Sequence, residues 1–246
     1  MSLFRKRYYI SSRDRDANSL STTNFKVYLT VPIDRKFTQG SVRKVTIPYT
    51  IYTINSNNNK LYWVDSDATV ITTTITNGNY DQNTLAAAIA AQMNIDKHSA
   101  NTYTCTVNST TAKITITNNT SNFQLTTTNT TSAIWDTIGF TTSSDKTGST
   151  SYTGTNVYNL QPTSMFYICS TLSGSNDSLI LSGDFPVINS IPVSANFGDI
   201  VTYTADTDDT FNINNTNTIL QFELRDEKYN IIDLNGLNWS LEIDFS

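Results

Sequence analysis

Short segments with alternating apolar and polar side chains recur along most of this chain, separated by turn residues. They are rich in β-branched and aromatic residues and cover 25–31, 42–54, 61–64, 69–76, 103–108, 112–117, 123–127, 165–172, 187–194, 200–204, 218–225 and 237–245. Because successive side chains of a strand point to opposite faces, each segment predicts a strand with one buried face. So many closely spaced strands favour a sandwich or barrel over alternating strand–helix units. We therefore predict an all-β fold, an antiparallel β-sandwich whose two facing sheets hide the strand edges.

The last segment has the clearest alternation. Apolar side chains take every second position in it, at Leu237, Trp239, Leu241, Ile243 and Phe245. A strand with this pattern must bury one face. We predict that Trp239, Leu241 and Ile243 belong to the core.

One segment follows a helical period instead. Its apolar side chains are spaced by three and four positions, at Leu85, Ala88, Ile89 and Met93. This spacing predicts a helix over 83–94, with Asp81 or Asn83 placed to cap its first turn. The apolar stripe is narrow and rich in alanine, so we expect the helix to lie close against a sheet.

The organisation of the chain is marked by a polar stretch over 141–156, which is Ser, Thr and Gly with almost no apolar side chain. A long connection of this composition is typically mobile or an interaction loop. We predict an N-terminal arm over 1–20 and one β-sandwich domain over 21–246, with the helical insertion near 83–94 and the flexible loop near 141–156. A division into two domains stays open.

Charge is distributed unevenly. The formal net charge is -5, yet the first sixteen residues hold five Arg or Lys against two Asp. The five cations, Arg5, Lys6, Arg7, Arg13 and Arg15, cannot join an apolar core, while Tyr8, Tyr9 and Ile10 between them offer a short adhesive stretch. We expect this arm to be disordered or extended in the isolated protein and to become ordered against an anionic surface or an acidic partner. The plainer alternative is a terminus whose charge aids solubility. The acidic remainder of the chain argues against general nucleic-acid binding.

The cysteines and the hydropathy of the sequence indicate the compartment in which the protein is made. Cys105 and Cys169 are the two cysteines, each within a strand pattern, so a disulfide framework is not expected and both are predicted to be buried thiols. The start of the chain lacks the apolar run of a signal peptide, and no stretch is long enough to span a membrane. We expect synthesis in the cytosol.

The residues needed for common catalytic mechanisms are sparse. Nucleophilic catalysis needs an imidazole, and His98, the single histidine, follows the predicted helix. The helix dipole stabilises a cation there, which gives His98 a structural explanation. Gly148 and Gly154 lack the lysine of a phosphate-binding loop, and the acidic residues cluster in predicted turns. We expect neither an enzyme nor a cofactor.

Metal binding is constrained by the same scarcity. Zinc would need clustered His and Cys ligands, which this sequence lacks. Calcium stays open at Asp206, Asp208 and Asp209, which lie close together with Thr oxygens near them, and also at Asp65 and Asp67. The spacing of an EF-hand loop is missing, so we interpret these as solvated acids in turns.

Several stretches taken together resemble a known group of viral proteins. They are the basic arm at 5–16, the strand patterns at 25–31 and 42–54, and the segments 55–63, 75–80, 85–94, 103–117, 134–140, 220–226 and 237–243. This arrangement is similar to the minor, single-jelly-roll capsid proteins of virophages, polinton-like viruses and large eukaryotic DNA viruses, and above all to their penton proteins. The resemblance covers most of the chain as patterning, without a catalytic signature.

The resemblance implies a single jelly roll and a structural role in the virion of a double-stranded DNA virus. It implies a homopentamer that closes the fivefold vertices of an icosahedral capsid and contacts the major capsid protein and other minor capsid proteins. In that setting the arm (Arg5, Lys6, Arg7, Tyr8, Tyr9, Arg13 and Arg15) would anchor the subunit in the capsid.

Two other functions stay open. One is a minor capsid protein located away from the vertex. The other is a receptor- or carbohydrate-binding β-sandwich of a viral spike, which would need an exposed cleft with convergent polar groups and aromatic rings.

Overall fold

The structure of the chain is a computed structural model that describes residues 5–29, 33–65, 68–173, 186–205, 209–213 and 218–246. In this part of the chain the elements are β1 (Lys6–Ser11), a 3-10 turn (Ser12–Asp14), β2 (Asn24–Tyr28), β3 (Gln39–Pro48), β4 (Lys60–Val64), β5 (Val70–Thr74), α1 (Gln82–Asp96), β6 (Tyr103–Asn108), β7 (Lys113–Asn118), β8 (Phe123–Leu125), β9 (Lys146–Ser149), β10 (Ser151–Thr153), β11 (Met165–Ser170), β12 (Val187–Pro192), β13 (Ile200–Thr204), β14 (Phe211–Asn212), β15 (Ile219–Arg225) and β16 (Ser240–Phe245). Each of the twelve predicted segments overlaps one of these strands, and the paired strands are antiparallel.

The chain divides into two compact units. The first unit comprises Met1–Ile51 and Thr163–Ser246, and the second comprises Tyr52–Pro162. The second unit is therefore inserted into the first between β3 and β11. Whether residues 21–246 act as one domain remains a prediction.

The first unit is a jelly roll. One sheet has the strand order β1-β16-β3-β13, with β14 continuing the β13 edge along β3, and the other has the order β12-β11-β15-β2. If β14 is set aside and the remaining strands of the unit are numbered in chain order, the two sheets are 1-8-3-6 and 5-4-7-2. This is the strand order of a jelly roll, in which two Greek keys form two facing sheets. The predicted all-β antiparallel sandwich is confirmed.

Both sheets contribute to one hydrophobic core. Phe25 on β2 stacks on Phe222 on β15 at 5.6 Å between ring centroids. Phe25 also meets the ring of Trp239, just before β16, edge to face at 5.7 Å. Side chains of this size each contribute about 1.5–3 kcal/mol when they are fully buried. The inward rows of the two sheets therefore hold the sandwich together.

The first strand corrects one prediction. Residues 6–11 do not form an arm that is ordered only by neighbours, because in the isolated chain they pair along their whole length with β16. Tyr8 and Ile10 point inward to the core, and Arg7 and Tyr9 point outward. The alternation is present in the sequence, but the partner strand lies at the other end of the chain. Deleting residues 2–16 would therefore remove a whole strand from the first jelly-roll sheet.

The second unit contains the helix. Its sheets have the orders β5-β4-β8-β9 and β10-β7-β6, and α1 packs against β5 and β6. The predicted helix is confirmed over Gln82–Asp96. Asp81 caps it, and Thr84 completes the capping box. Leu85, Ile89 and Met93 are buried, as expected for a helix lying against a sheet.

Strands β9 and β10 lie within 141–156, where a flexible loop was predicted, so this expectation is corrected. Two pairs of hydroxyl groups join β7 to β10. Thr115 lies 2.9 Å from Thr153, and Thr117 lies 2.8 Å from Ser151. Cross-strand hydroxyl pairs of this kind add to the stability of a sheet. Composition alone therefore gave the wrong expectation.

Candidate functional site

The outer surface of the first jelly-roll sheet carries an ionic cluster. Arg7 on β1 donates two hydrogen bonds to Asp244 on β16, from Nε to Oδ1 at 2.6 Å and from Nη2 to Oδ2 at 2.9 Å. Glu242 lies 3.6 Å from Arg7 Nη1, and Arg43 on β3 lies 3.9 Å from Asp244 Oδ2. Opposite charges on adjacent strands therefore alternate across this sheet.

The cluster shifts the pKa values of its members. Hydrogen bonding from Arg7 is the main reason that the pKa of Asp244 lies below its ordinary value, with Arg43 adding to the effect. The same bond raises the pKa of Arg7. The ion pair therefore favours the charged form of both groups.

The other residues of β1 divide between core and surface. Tyr8 packs against Phe245 at 4.9 Å between ring centroids, and the Lys6 ammonium group lies 4.8 Å from the centroid of the Tyr8 ring. Ile10 is buried, whereas Tyr9 is 73% exposed. Of the seven residues predicted for the arm, Tyr8 thus faces inward, Arg7 forms an ion pair, and Tyr9 presents its ring to solvent.

The segment after β1 is fixed by Ser12. The Ser12 amide donates to Trp239 O at 3.0 Å, and Ser12 Oγ accepts from the Trp239 amide at 3.1 Å. Arg15 Nη1 donates to Ser12 O at 2.9 Å and to Asn238 Oδ1 at 3.2 Å. Arg13 is exposed. We call β1 together with Arg13 and Arg15 the basic edge.

The opposite edge of the same sheet, formed by β13, carries acidic residues. β13 pairs with β3, and Asp199 precedes it while Asp209 follows it; both carboxylates are exposed. Ile200, the first residue of β13, is 61% exposed. We call β13 with Asp199 and Asp209 the acidic edge. The sequence did not single out this edge, because its position in the sheet depends on pairing with β3.

The three predicted core residues lie inside the sandwich. Trp239 and Leu241 are each 2% exposed, and Ile243 is fully buried. Trp239 Nε1 donates to Thr22 O at 2.9 Å, which satisfies its polar group. Leu237, which continues the alternation in the sequence, lies before β16 and is 47% exposed.

Two buried carboxylates were missed by sequence reasoning. Glu223 on β15 binds Arg225 Nε at 2.8 Å and accepts from Asn24 Nδ2 at 2.9 Å. The only sequence signal for this group was the polar row at every second position of β15. The hydrogen bond from Asn24 crosses from β2 to β15, where Asn24 and Glu223 are opposite each other in the register.

The other buried carboxylate is Asp65, interpreted from the sequence as a solvated acid, and this is corrected. Asp65 Oδ2 accepts from the amides of His98 and Ser99 at 3.0 and 2.9 Å, and Oδ1 accepts from the Tyr103 hydroxyl at 2.8 Å. Burial is the main cause of the raised pKa of Tyr103, and Asp65 adds to it. His98 itself is exposed. The hydrogen bonds to Asp65 therefore hold the main chain after α1 in place.

The thiols and acids that could carry chemistry are dispersed. Cys169 is buried and Cys105 is partly buried; burial raises their pKa values to about 11 and about 12. Within the described ranges, no three His, Cys, Asp or Glu side chains come together as metal ligands. Asp67, Asp206 and Asp208 lie outside the described residues, so the calcium question there stays as the sequence left it.

A cleft of about 490 Å³ lies in the second unit. It is lined by Asp136, Gly139, Phe140, Thr141, Thr142, Ser143 and Asn156. The Phe140 side chain is buried, so the lining offers hydroxyls and one carboxylate but no exposed aromatic face. Among the described residues, the helices are too short or too polar to cross a bilayer.

Comparison with known proteins gives a likeness in structure and none in sequence. No protein-family model matches the chain, and no curated protein matches it in sequence. Among solved structures it is similar to the mavirus penton protein, with a TM-score of 0.51 and 13% sequence identity over 98% of both chains. At this identity the likeness concerns the fold, and it extends over the whole of both chains. The chain therefore shares the overall fold of a penton protein.

Proposed function

We propose that this chain is a structural protein of a viral capsid, of the penton type. Five copies would close a ring at each fivefold vertex of an icosahedral shell, so the function is packing between subunits. The single observation that carries the proposal is the jelly roll with its inserted unit, whose fold is similar to that of the mavirus penton protein from end to end.

The partners follow from this role. The subunit would contact further copies of itself, the major capsid protein and other minor capsid proteins, in the virion of a double-stranded DNA virus after synthesis in the host cytoplasm. Neither catalysis nor a cofactor is part of the proposal. We assign anchoring to the residues of the predicted arm that are exposed, namely Arg5, Lys6, Arg7, Tyr9, Arg13 and Arg15. Tyr8 packs inward, and Arg7 is also paired with Asp244.

The spike-type carbohydrate or receptor module is the second candidate. Sugar recognition usually pairs polar groups with an exposed aromatic ring. Among the described residues that line the cleft of the second unit, Phe140 is the one aromatic side chain, and it is buried. We therefore favour the capsid role.

The test is imaging of the purified protein and of particles. Negative-stain microscopy at high concentration should show fivefold rings, and coexpression with the major capsid protein should place the chain at the vertices of closed shells. A stable trimer, or density away from the vertices, would instead support a non-vertex capsid protein. Binding to a glycan array without incorporation into shells would support the spike module.

A further inference from the structure

We propose that neighbouring copies join edge to edge, with the basic edge of one copy beside the acidic edge of the next. In this contact β1 runs antiparallel to β13 of the neighbour and extends the first jelly-roll sheet from copy to copy. The proposal rests on the proposed capsid function and names the surfaces that its ring would use.

Both strands are edges of the sheet. Among the described residues, β1 pairs with β16 and β13 pairs with β3, each on one side. The Ser12 amide faces β16, so in antiparallel pairing the main-chain groups of Arg7, Tyr9 and Ser11 point away from it. An edge with outward N–H and C=O groups is a template for another strand.

The same reasoning applies to β13. The Ala205 amide donates to Arg43 O at 2.9 Å, and the Tyr49 amide donates to Asp199 O at 2.8 Å. Residues 199, 201, 203 and 205 therefore face β3. The main-chain groups of Ile200, Thr202 and Thr204 point to the outer edge.

The two edges match in register. Across the sheet, Tyr9 is paired with Glu242, Glu242 with Lys44, and Lys44 with Thr204. Tyr9 and Thr204 thus lie at the same level along the strands, and the same pairing places Ser11 level with Thr202. If the neighbouring copy is related by a rotation about an axis parallel to the strands, these levels are unchanged. Tyr9 of one copy then lies opposite Thr204 of the next, and the main-chain groups of both residues point toward the contact.

The direction of the strands also fits. Three antiparallel pairs separate β1 from β13, so the two edge strands run in opposite directions. A neighbour in the same orientation therefore presents an antiparallel strand. Because the two edges are different surfaces, the repeated contact is heterologous, and it gives a ring when the rotation between neighbours closes.

Charge is complementary at both ends of the contact. Arg13 and Arg15 follow β1 just after Ser11, which is level with Thr202, and Asp199 lies three residues before Thr202. At the other end, Lys6 is level with Gly40, which pairs with Phe211 close to Asp209. Exposed opposite charges of this kind select the partner surface and its register, and they weaken with salt. The observations together favour a second copy as the occupant of each edge.

Disulfide trapping tests the contact in the full-length chain. Tyr9→Cys and Thr204→Cys place thiols on exposed, level positions of the two edges, and oxidation should produce covalent multimers up to a closed ring. The matched control is Tyr9→Cys with Tyr28→Cys, since Tyr28 is also exposed but lies on an edge of the other sheet. It should give no such series.

A charge exchange provides the second readout. Arg13→Glu or Asp199→Lys alone should weaken association about two- to five-fold, as for an exposed ion pair, and the double exchange should restore it. Mass photometry on the wild type reports the ring independently. Rings without trapping of Tyr9→Cys with Thr204→Cys would overturn the edge contact and leave the penton role intact. Trapped multimers with threefold closure would support the contact and overturn the fivefold role, and absence of trapping in a protein that forms no ring would overturn both.

Discussion

Arg7 and Asp244 form a bidentate ion pair across the first and last strands of the jelly roll, although 237 positions separate them in the sequence. The pair turns the cationic start of the chain into an ordered sheet edge. Its side chains lie on the outer face, so their contribution depends on pH and salt. The predictions below begin with this strand.

The place of β1 in the core is tested by two neighbouring positions. Ile10→Ala should lower the free energy of unfolding by about 2 kcal/mol or more, because Ile10 is buried between the sheets. Tyr9→Ala, on the exposed face, should change it by no more than about 0.5 kcal/mol. Urea unfolding measures both, and equal effects would contradict the strand assignment.

The ion pair predicts a pH dependence of stability. The pKa of Asp244 is lowered in the folded state, so its contribution is present above the ordinary aspartate pKa of about 3.9 and is lost as the pH falls through the lower folded value. Asp244→Asn should therefore lower the melting temperature at pH 7, and the difference from wild type should shrink below about pH 4. Asp14→Asn, at an exposed position, is the control. A difference that is the same at pH 7 and pH 3 would show that the charge is not involved.

Trp239 tests the packing between the two sheets. Trp239→Ala removes the ring that meets Phe25 and leaves Thr22 O without its donor, so it should cost about 3–5 kcal/mol. Leu237→Ala, two positions earlier but exposed, should cost much less. Chemical unfolding of the two variants gives the comparison, and a near-neutral Trp239 variant would refute the register of β16.

Two glycines in the second unit separate backbone strain from steric overlap. Both have a positive φ, Gly139 at 80° and Gly148 at 79°. A Cβ at Gly139 would lie 2.4 Å from Asn156 O, whereas a Cβ at Gly148 meets nothing within 4 Å. Gly148→Ala should therefore cost about 1–2 kcal/mol, and Gly139→Ala clearly more. Similar melting temperatures for the two variants would count against the close approach of residues 139 and 156.

Cys169 should be unreactive in the folded protein. It is fully buried and its pKa is raised to about 11, so almost no thiolate is present at pH 8. In a Cys105→Ser background, the disulfide reagent DTNB should modify the remaining thiol slowly before denaturation and rapidly in guanidinium. Fast modification without denaturant would show that this part of β11 opens.

Local patterns predicted the elements better than they predicted their partners. The strict alternation at Trp239, Leu241 and Ile243 identified β16, and the spacing of Leu85, Ile89 and Met93 identified α1. Tyr8 and Ile10 carry the same alternation in β1, but five cations around them favoured an arm. Pairing with β16 is a long-range event that no local pattern encodes.

The candidate surface could not be predicted for the same reason, because it depends on long-range pairing. The acidic edge exists because Tyr203 pairs with Val45, which the sequence around Asp199 does not indicate. Burial of Asp65 and Glu223 depends on donors from distant segments, His98 and Asn24 among them. The boundary of the inserted unit lies within the continuous strand pattern 42–54, so the alternation of side chains did not indicate it.

The pairing of the first strand with the last also sets an order of events during synthesis. The second unit is one continuous stretch, Tyr52–Pro162, and all its strands have left the ribosome before β11 appears. The first jelly-roll sheet cannot close until β16 emerges, because β16 lies between β1 and β3. A partly made chain therefore lacks the strand that joins β1 to the rest of this sheet.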